Sequence, residues 1–236
     1  MSLAEHYDKL YCSSIERIRI DNYQIDDLID SPNDKRRGIT LLIRPDENIR
    51  KNVHGFIDKL KAIEPRQYYY PDSDIHLTVL SIILCYEGFD LSHIAVDDYV
   101  KVISRSLHNC SSFMIEFKGI TASPSCIMIQ GLPQTDILNQ IRNSLRRNFK
   151  ASKLQQSIDK RYTIKTAHLT AVRFKKKLKN KEKFLKLVEA YRSFDFGGFK
   201  VDTMELVYND WYLREKYVKQ LYRFNLKSNL RNYVGN

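Results

Sequence analysis

The sequence predicts an α+β fold of two pseudo-symmetric, sheet-bearing lobes around a central cleft, with helices on the outer faces. Strand-like and helix-like segments are mixed along the 236 residues, and helices packed on the outer faces of sheets are typical of α+β domains. One strand pattern occurs twice, at residues 74–80 and 166–172. If a pseudo-twofold axis relates these two copies, their strands meet across the central cleft.

The first predicted lobe, residues 37–130, has the order strand, helix, repeated strand, helix, strand, strand. The second, residues 131–228, has the order helix, repeated strand, helix, strand, strand. Apolar residues at helical or strand spacing, interrupted by Gly and Pro, predict these elements. The predicted ranges are 38–43, 45–65, 74–80, 92–110, 113–120, 126–130, 134–154, 162–174, 181–193, 199–208 and 222–226.

Residues 1–36 are predicted to be a partly helical N-terminal extension that precedes a bilobal domain at 37–236. The turn signal Ser31-Pro32-Asn33-Asp34 closes this extension. Two roles are open for it: packing across the core, or contributing a surface for a partner.

The formal net charge of +11 favours an anionic ligand such as a nucleotide or nucleic acid, with simple solubility as the alternative. The apolar stretch Leu77–Tyr86 is too short for a membrane span, which needs ~20 residues, so no membrane partner is expected. The N-terminus lacks a signal-peptide pattern and the four cysteines are scattered. A cytoplasmic protein with free thiols, acting as a monomer, is expected.

Each copy of the repeated strand carries a histidine and a threonine two positions apart, 92 positions from the other copy (168 − 76). Side chains alternate along a strand, so His76 and Thr78 point to one face, and His168 and Thr170 do the same. A single such pair is a weak signal. Two copies with matched apolar flanks indicate one shared site, with structural coincidence as the alternative.

The residue types at this site favour acid–base chemistry over metal binding. Zinc sites use three or four His, Cys or carboxylate ligands, whereas the neighbour of each histidine here is a threonine. Imidazole has a pKa of ~6.5 and exchanges protons near neutral pH. His76 and His168 are therefore predicted as a catalytic acid and base at a phosphodiester. Thr78 and Thr170 would bind the non-bridging oxygens.

The motifs His76-Leu77-Thr78-Val79 and His168-Leu169-Thr170-Ala171 resemble those of the two-histidine (2H) phosphoesterase superfamily. That superfamily includes RNA 2′,3′-cyclic phosphodiesterases, also described as 2′-5′ RNA ligases. The resemblance covers roughly residues 37–227 and implies mainly antiparallel sheets. It also implies catalysis by the two histidines, phosphate binding by the two threonines, and no metal or other cofactor.

Five further residues are candidates for substrate binding. Tyr70, the last of three consecutive tyrosines, could stack on a nucleobase; packing at the lobe edge is the alternative. The resemblance implies that the late hairpin, which carries Trp211 and Tyr212, approaches the cleft. Glu205 could orient a histidine or contact a base. The resemblance implies an arginine near the second motif, but strand alternation places Arg173 on the face opposite His168 and Thr170.

The sequence therefore predicts a metal-independent phosphodiesterase that acts on a 2′,3′-cyclic phosphate or a 2′-5′-linked ribonucleotide. RNA ends or small cyclic nucleotides are the expected substrates. The alternative is a non-catalytic nucleotide sensor or RNA-binding module that uses the same cleft. The presence of both histidines and both threonines favours chemistry, because a binding module needs no proton donor and acceptor.

Overall fold

A computed structural model describes residues 2–228, and within that part of the chain five helices pack against one nine-stranded sheet. The helices are α1 (Leu3–Arg19), α2 (Glu47–Ile63), α3 (Val96–Leu107), α4 (Ile137–Ala151) and α5 (Lys181–Ala190). The strands are β1 (Arg37–Ile43), β2 (Tyr68–Tyr69), β3 (Leu77–Tyr86), β4 (Phe113–Ser123), β5 (Cys126–Pro133), β6 (Leu169–Arg173), β7 (Asp195–Val201), β8 (Thr203–Asp210) and β9 (Lys219–Asn225). The predicted α+β fold with antiparallel sheets is confirmed.

The sheet order is β7-β4-β5-β6-β3-β1-β8-β9, with β2 paired to β6. All of these strand pairs are antiparallel. The repeated strands β3 and β6 lie side by side at the middle, joined by the single registered pair Leu77–Leu169. Four strands lie on each side of this junction, so each half of the sheet contributes one copy of the motif.

The strands of each half are not consecutive in the chain. β7 follows α5 yet pairs with β4, while β8 and β9 extend the sheet beyond β1. The predicted single strand 199–208 is therefore wrong: it divides at Asp202 into β7 and β8, which belong to opposite ends of the sheet. The pair Gly197-Gly198, which is rare inside strands, concealed the start of β7 from the sequence pattern.

Two other predicted elements are shorter in the structure. Strand pairing begins only at Leu169 in the predicted strand 162–174, because the residues before it are held by side chains instead. Thr166 O accepts from the Arg142 guanidinium, and Ala167 N–H donates to the Tyr7 hydroxyl. The predicted helix 92–110 begins at Val96, after a short 3-10 turn at Leu91–His93.

Helix α1 is fixed at its start by reciprocal hydrogen bonds between Ser2 and Glu5, a capping box that satisfies two free backbone N–H groups. Its apolar face then packs on β4. Residues 24–30, here named the strap, cross from this helix towards the end of β6. The division into an extension at 1–36 and a domain at 37–236 stays a prediction, and residues 229–236 lie outside the described part.

The helices described between residues 2 and 228 include none with the length and apolar character that a membrane crossing requires.

Candidate active site

The two motifs meet at the Leu77–Leu169 pair, whose side chains are fully buried on the core side of the sheet. In an antiparallel register this pair sets His76 opposite Thr170 and Thr78 opposite His168. All four of these side chains line one cleft. The cleft has a volume of about 140 Å³.

His76 is held in one tautomer by the backbone. It is 8% exposed, and its Nδ1 lies 2.6 Å from the carbonyl oxygen of Asp74. A carbonyl only accepts hydrogen bonds, so Nδ1 carries the proton and Nε2 the lone pair. This arrangement prepares Nε2 of His76 to accept a proton.

His168 is held differently, by a side chain. Its Nδ1 lies 2.8 Å from Oγ1 of Thr166, and a hydroxyl can either donate or accept. The imidazole of His168 can therefore carry its proton on either nitrogen. In the protonated imidazole both nitrogens carry protons, so Nδ1 then donates to Oγ1 of Thr166 and Nε2 of His168 can give its proton away.

The second motif is tied to the N-terminal helix through Tyr7, which is fully buried. The Tyr7 hydroxyl accepts a hydrogen bond from Ala167 N–H at 2.8 Å and donates one to Gly131 O at 3.1 Å. The backbone residue before His168 is thus fixed to both α1 and β5. Sequence reasoning missed this contact, because nothing local to Tyr7 marks it.

Arg142 on α4 links the two motifs from behind. Its guanidinium donates to Val79 O at 2.9 Å, Thr78 O at 3.1 Å and Thr166 O at 2.7 Å, and the residue is 1% exposed. Burial lowers the pKa of Arg142 to about 10, so it is still charged at neutral pH. The sequence does carry a sign that Arg142 has buried partners, because an arginine on the apolar face of a predicted helix needs them.

Burial is the main influence on both histidines, lowering the pKa of His76 to about 3 and that of His168 to about 4. Nearby positive charges also lower both pKa values, Arg44 and then Arg173 at His76, and Arg142 and then Arg173 at His168. Both rings are therefore neutral at pH 7 in the unliganded protein. The same positive surroundings attract a phosphate anion.

The free energy of unfolding is expected to fall as the pH drops from about 6.5 towards 4, by up to ~1.4 kcal/mol per pH unit for each imidazole. In the unfolded chain these histidines take up protons below pH ~6.5, whereas in the folded protein they stay neutral. The stabilisation is complete above pH 6.5 and is lost on acidification. Urea unfolding at pH 7.5, 6.0 and 5.0 measures it. A His76→Gln, His168→Gln double variant with the same pH slope as wild type would contradict this origin.

Arg173 also lines the cleft, so its predicted position on the opposite face is wrong. The pairing of β5 with β6 shifts register between Ile127–Val172 and Met128–Thr170. This bulge leaves Ala171 as an extra residue and restores Arg173 to the face of Thr170. Its Nε donates to the Tyr70 hydroxyl at 2.9 Å.

Tyr70 and Trp211, two of the predicted aromatic contacts, lie in the cleft lining. Tyr70 is 2% exposed and packs against the ring of His76 at a centroid distance of 6.2 Å, so it forms the back of the cleft. Trp211 lies at the mouth, with the guanidinium carbons of Arg36 and Arg161 each 4.8 Å from its ring centroid.

Tyr212 and Glu205 lie outside the lining. Tyr212 is fully buried, and its hydroxyl donates to Asp26 Oδ1 at 2.7 Å, so it anchors the strap. Glu205 lies 3.7 Å from Arg44, which in turn donates to the carbonyl oxygen of Ser73 at 2.8 Å. Tyr212 and Glu205 therefore hold neighbouring segments in place and do not line the cleft.

Sequence reasoning missed several lining residues: Thr40, Arg161, Tyr162 and Asn209. Arg161 lies just before the segment predicted as a strand, 162–174, and Tyr162 is its first residue; nothing distinguished either of them. Among residues 2–228, no three His, Cys, Asp or Glu side chains come together as a metal site would need.

Comparisons with known proteins give one family match and several matches of the fold. A family model described as the AKAP7 2′5′ RNA ligase-like domain matches residues 42–217. No curated protein matches the chain.

Several solved structures share the fold. TT0787 of Thermus thermophilus is 15% identical and matches with a TM-score of 0.61, covering 82% of this chain and 99% of its own. ATU0111 of Agrobacterium tumefaciens is 13% identical, with a TM-score of 0.57 and coverage of 88% and 97%. Escherichia coli LigT complexed with 3′-AMP is 13% identical, with a TM-score of 0.52 and coverage of 81% and 99%.

Proposed function

The chain belongs to the family of AKAP7 2′5′ RNA ligase-like domains, within the 2H phosphoesterase superfamily. From that premise we propose that it is a metal-independent phosphodiesterase. Its proposed substrates are 2′,3′-cyclic phosphates or 2′-5′-linked ribonucleotides, bound as RNA ends or small nucleotides. The observation that carries the proposal is the meeting of the two His-x-Thr motifs at the Leu77–Leu169 pair, which brings two imidazoles and two hydroxyls to one cleft.

His76 acts as the base and His168 as the acid. Nε2 of His76 takes a proton from the attacking water, whose oxygen bonds to phosphorus. The bond from phosphorus to the leaving ribose oxygen breaks, and that oxygen takes the proton from Nε2 of His168. The hydrogen bond from His76 Nδ1 to Asp74 O supports the first role, and the reversible Thr166 contact supports the second.

His168 must hold a proton before it can act as an acid, although its pKa is about 4 in the unliganded protein. A bound phosphate anion raises the pKa of a nearby imidazole. His168 therefore takes up its proton together with the substrate.

Thr78 and Thr170 bind the non-bridging oxygens, where negative charge increases in the transition state. Thr78→Ala or Thr170→Ala is expected to lower kcat by about 10- to 1,000-fold, by analogy with removal of an oxyanion donor. Steady-state kinetics measures this loss. Thr203→Ala, on β8 outside the cleft lining, is the matched control, and equal kcat in the control and the cleft variants would contradict the assignment.

A substrate screen tests the function as a whole. Wild-type protein is incubated with 2′,3′-cyclic nucleotides, 2′-5′ oligoadenylates and cyclic dinucleotides, with and without EDTA. Products are separated by chromatography, and the His76→Ala protein is the control for contaminating activity. Turnover that survives EDTA and disappears in His76→Ala supports the proposal. Nucleotide binding by calorimetry without any product would instead support the sensor.

A further inference from the structure

A groove continues from the candidate active site towards the N-terminal extension. It shares six lining residues with the cleft, Arg161, Tyr162, His168, Thr170, Arg173 and Trp211, and then runs to the strap. Its volume is about 950 Å³, against about 140 Å³ for the cleft, and lies at the upper end of the ~300–1,000 Å³ range of small-molecule sites. The groove therefore has room for more than one nucleotide.

One wall of the groove is the loop that precedes the second motif. It presents the exposed cations Arg161 and Lys165 and the ring of Tyr162, which is 65% exposed. Arg161 already contacts the face of Trp211 at 4.8 Å. Cationic side chains next to an open aromatic ring are the combination that binds single-stranded nucleic acid, through phosphates and stacked bases.

The strap also lines the groove, and its backbone hydrogen bonds fix it in place. Gln24 N–H donates to Pro124 O and Asp26 N–H donates to Phe174 O, both at 2.8 Å. The Asp26 carboxylate is occupied by the Tyr212 hydroxyl. The side chains of Gln24 and Asp27 are exposed in the groove.

The loop and the strap differ in chemistry. Carboxylate and amide oxygens on the strap accept hydrogen bonds from ribose hydroxyls or base amino groups, and they repel phosphates. The loop cations attract phosphates. A ribonucleotide chain fits this asymmetry with its backbone along the loop and its sugars and bases towards the strap. The strap also lies outside residues 42–217, which the family model matches.

We propose that this groove binds the ribonucleotides that continue from the scissile phosphate, so that the substrate is an oligoribonucleotide rather than a mononucleotide. The inference rests on the function proposed for the cleft. It assigns the N-terminal extension a direct part in substrate selection.

The test compares two substrates that carry the same scissile group, a mononucleotide and a six-residue RNA. Lys165→Glu reverses a charge that lies in the groove but outside the cleft lining. It is expected to raise KM for the six-residue RNA about tenfold, and to reduce the salt dependence of binding, because one phosphate contact is lost. KM for the mononucleotide should stay within about twofold. Lys183→Glu, on the exposed side of α5, is the matched control.

A direct binding measurement separates the two proposals. Fluorescence anisotropy with the labelled six-residue RNA reports the groove even if the protein turns over nothing. If wild type has no activity but Lys165→Glu binds this RNA more weakly than Lys183→Glu does, the groove stands and the catalytic proposal falls. Equal KM and equal affinity of the two variants for the RNA overturn the groove.

Discussion

Replacing either His76 or His168 with alanine is expected to lower kcat by about 100- to 10,000-fold, the usual contribution of a positioned acid or base. Each variant loses one of the two proton transfers that the proposed reaction needs. The fold should persist, because a neutral imidazole is removed and no buried charge is left unpaired. Steady-state kinetics on the substrate found by the screen measures the loss, and far-UV circular dichroism checks the fold.

The exposed His108 provides the control for these variants, since it lies at the end of α3 away from the cleft. His108→Ala should keep the wild-type kcat. Full activity in the His76→Ala, His168→Ala double variant would exclude the proposed chemistry. The two single variants should also differ in their pH–rate profiles: loss of the base removes the rise on the acidic side, and loss of the acid removes the fall on the alkaline side.

Replacing Arg142 with methionine is expected to lower the free energy of unfolding by roughly 2–5 kcal/mol, since each buried carbonyl left without a donor costs ~1–3 kcal/mol. The guanidinium donates to three backbone carbonyls, at Thr78, Val79 and Thr166. Methionine fills much of the same volume but donates nothing. Urea unfolding at pH 7.5 measures the difference.

Arg147 lies further along α4, exposed and hydrogen-bonded only to Ser144 in the described residues. Arg147→Met should therefore change stability by less than about 0.5 kcal/mol. If Arg142→Met and Arg147→Met are equally stable, the link behind the two motifs has no energetic importance. If Arg142→Met stays folded, its kcat should also fall, because Thr78 and Thr166 lose a common support.

The histidines and threonines of the cleft could be predicted because their pattern is local and occurs twice. Arg173 could not be placed, because a bulge at Ala171 reverses the strand alternation and leaves no mark in the sequence. The position of the strap could not be predicted either, since it depends on backbone contacts with Pro124 and Phe174, far along the chain. Long-range contacts of this kind are set by the assembled sheet and not by local propensity.

The order of elements predicted that the sheet has two halves. It did not predict which strands belong to each half. β7 and β8 are consecutive in the chain, yet they lie at opposite ends of the sheet. Periodicity shows that a segment is a strand, and it does not show which strand is its neighbour. The duplicated motif alone indicated which two strands meet.

The contact of Tyr7 with Ala167 and Gly131 has a consequence for the protein as it leaves the ribosome. Helix α1 is synthesised well before the backbone groups that its tyrosine binds, which lie more than 120 residues further along the chain. During synthesis its apolar face has no docking surface until β4 and β5 have formed. Helix α1 is therefore made before the surface on which it docks, and its docking completes the backbone around His168.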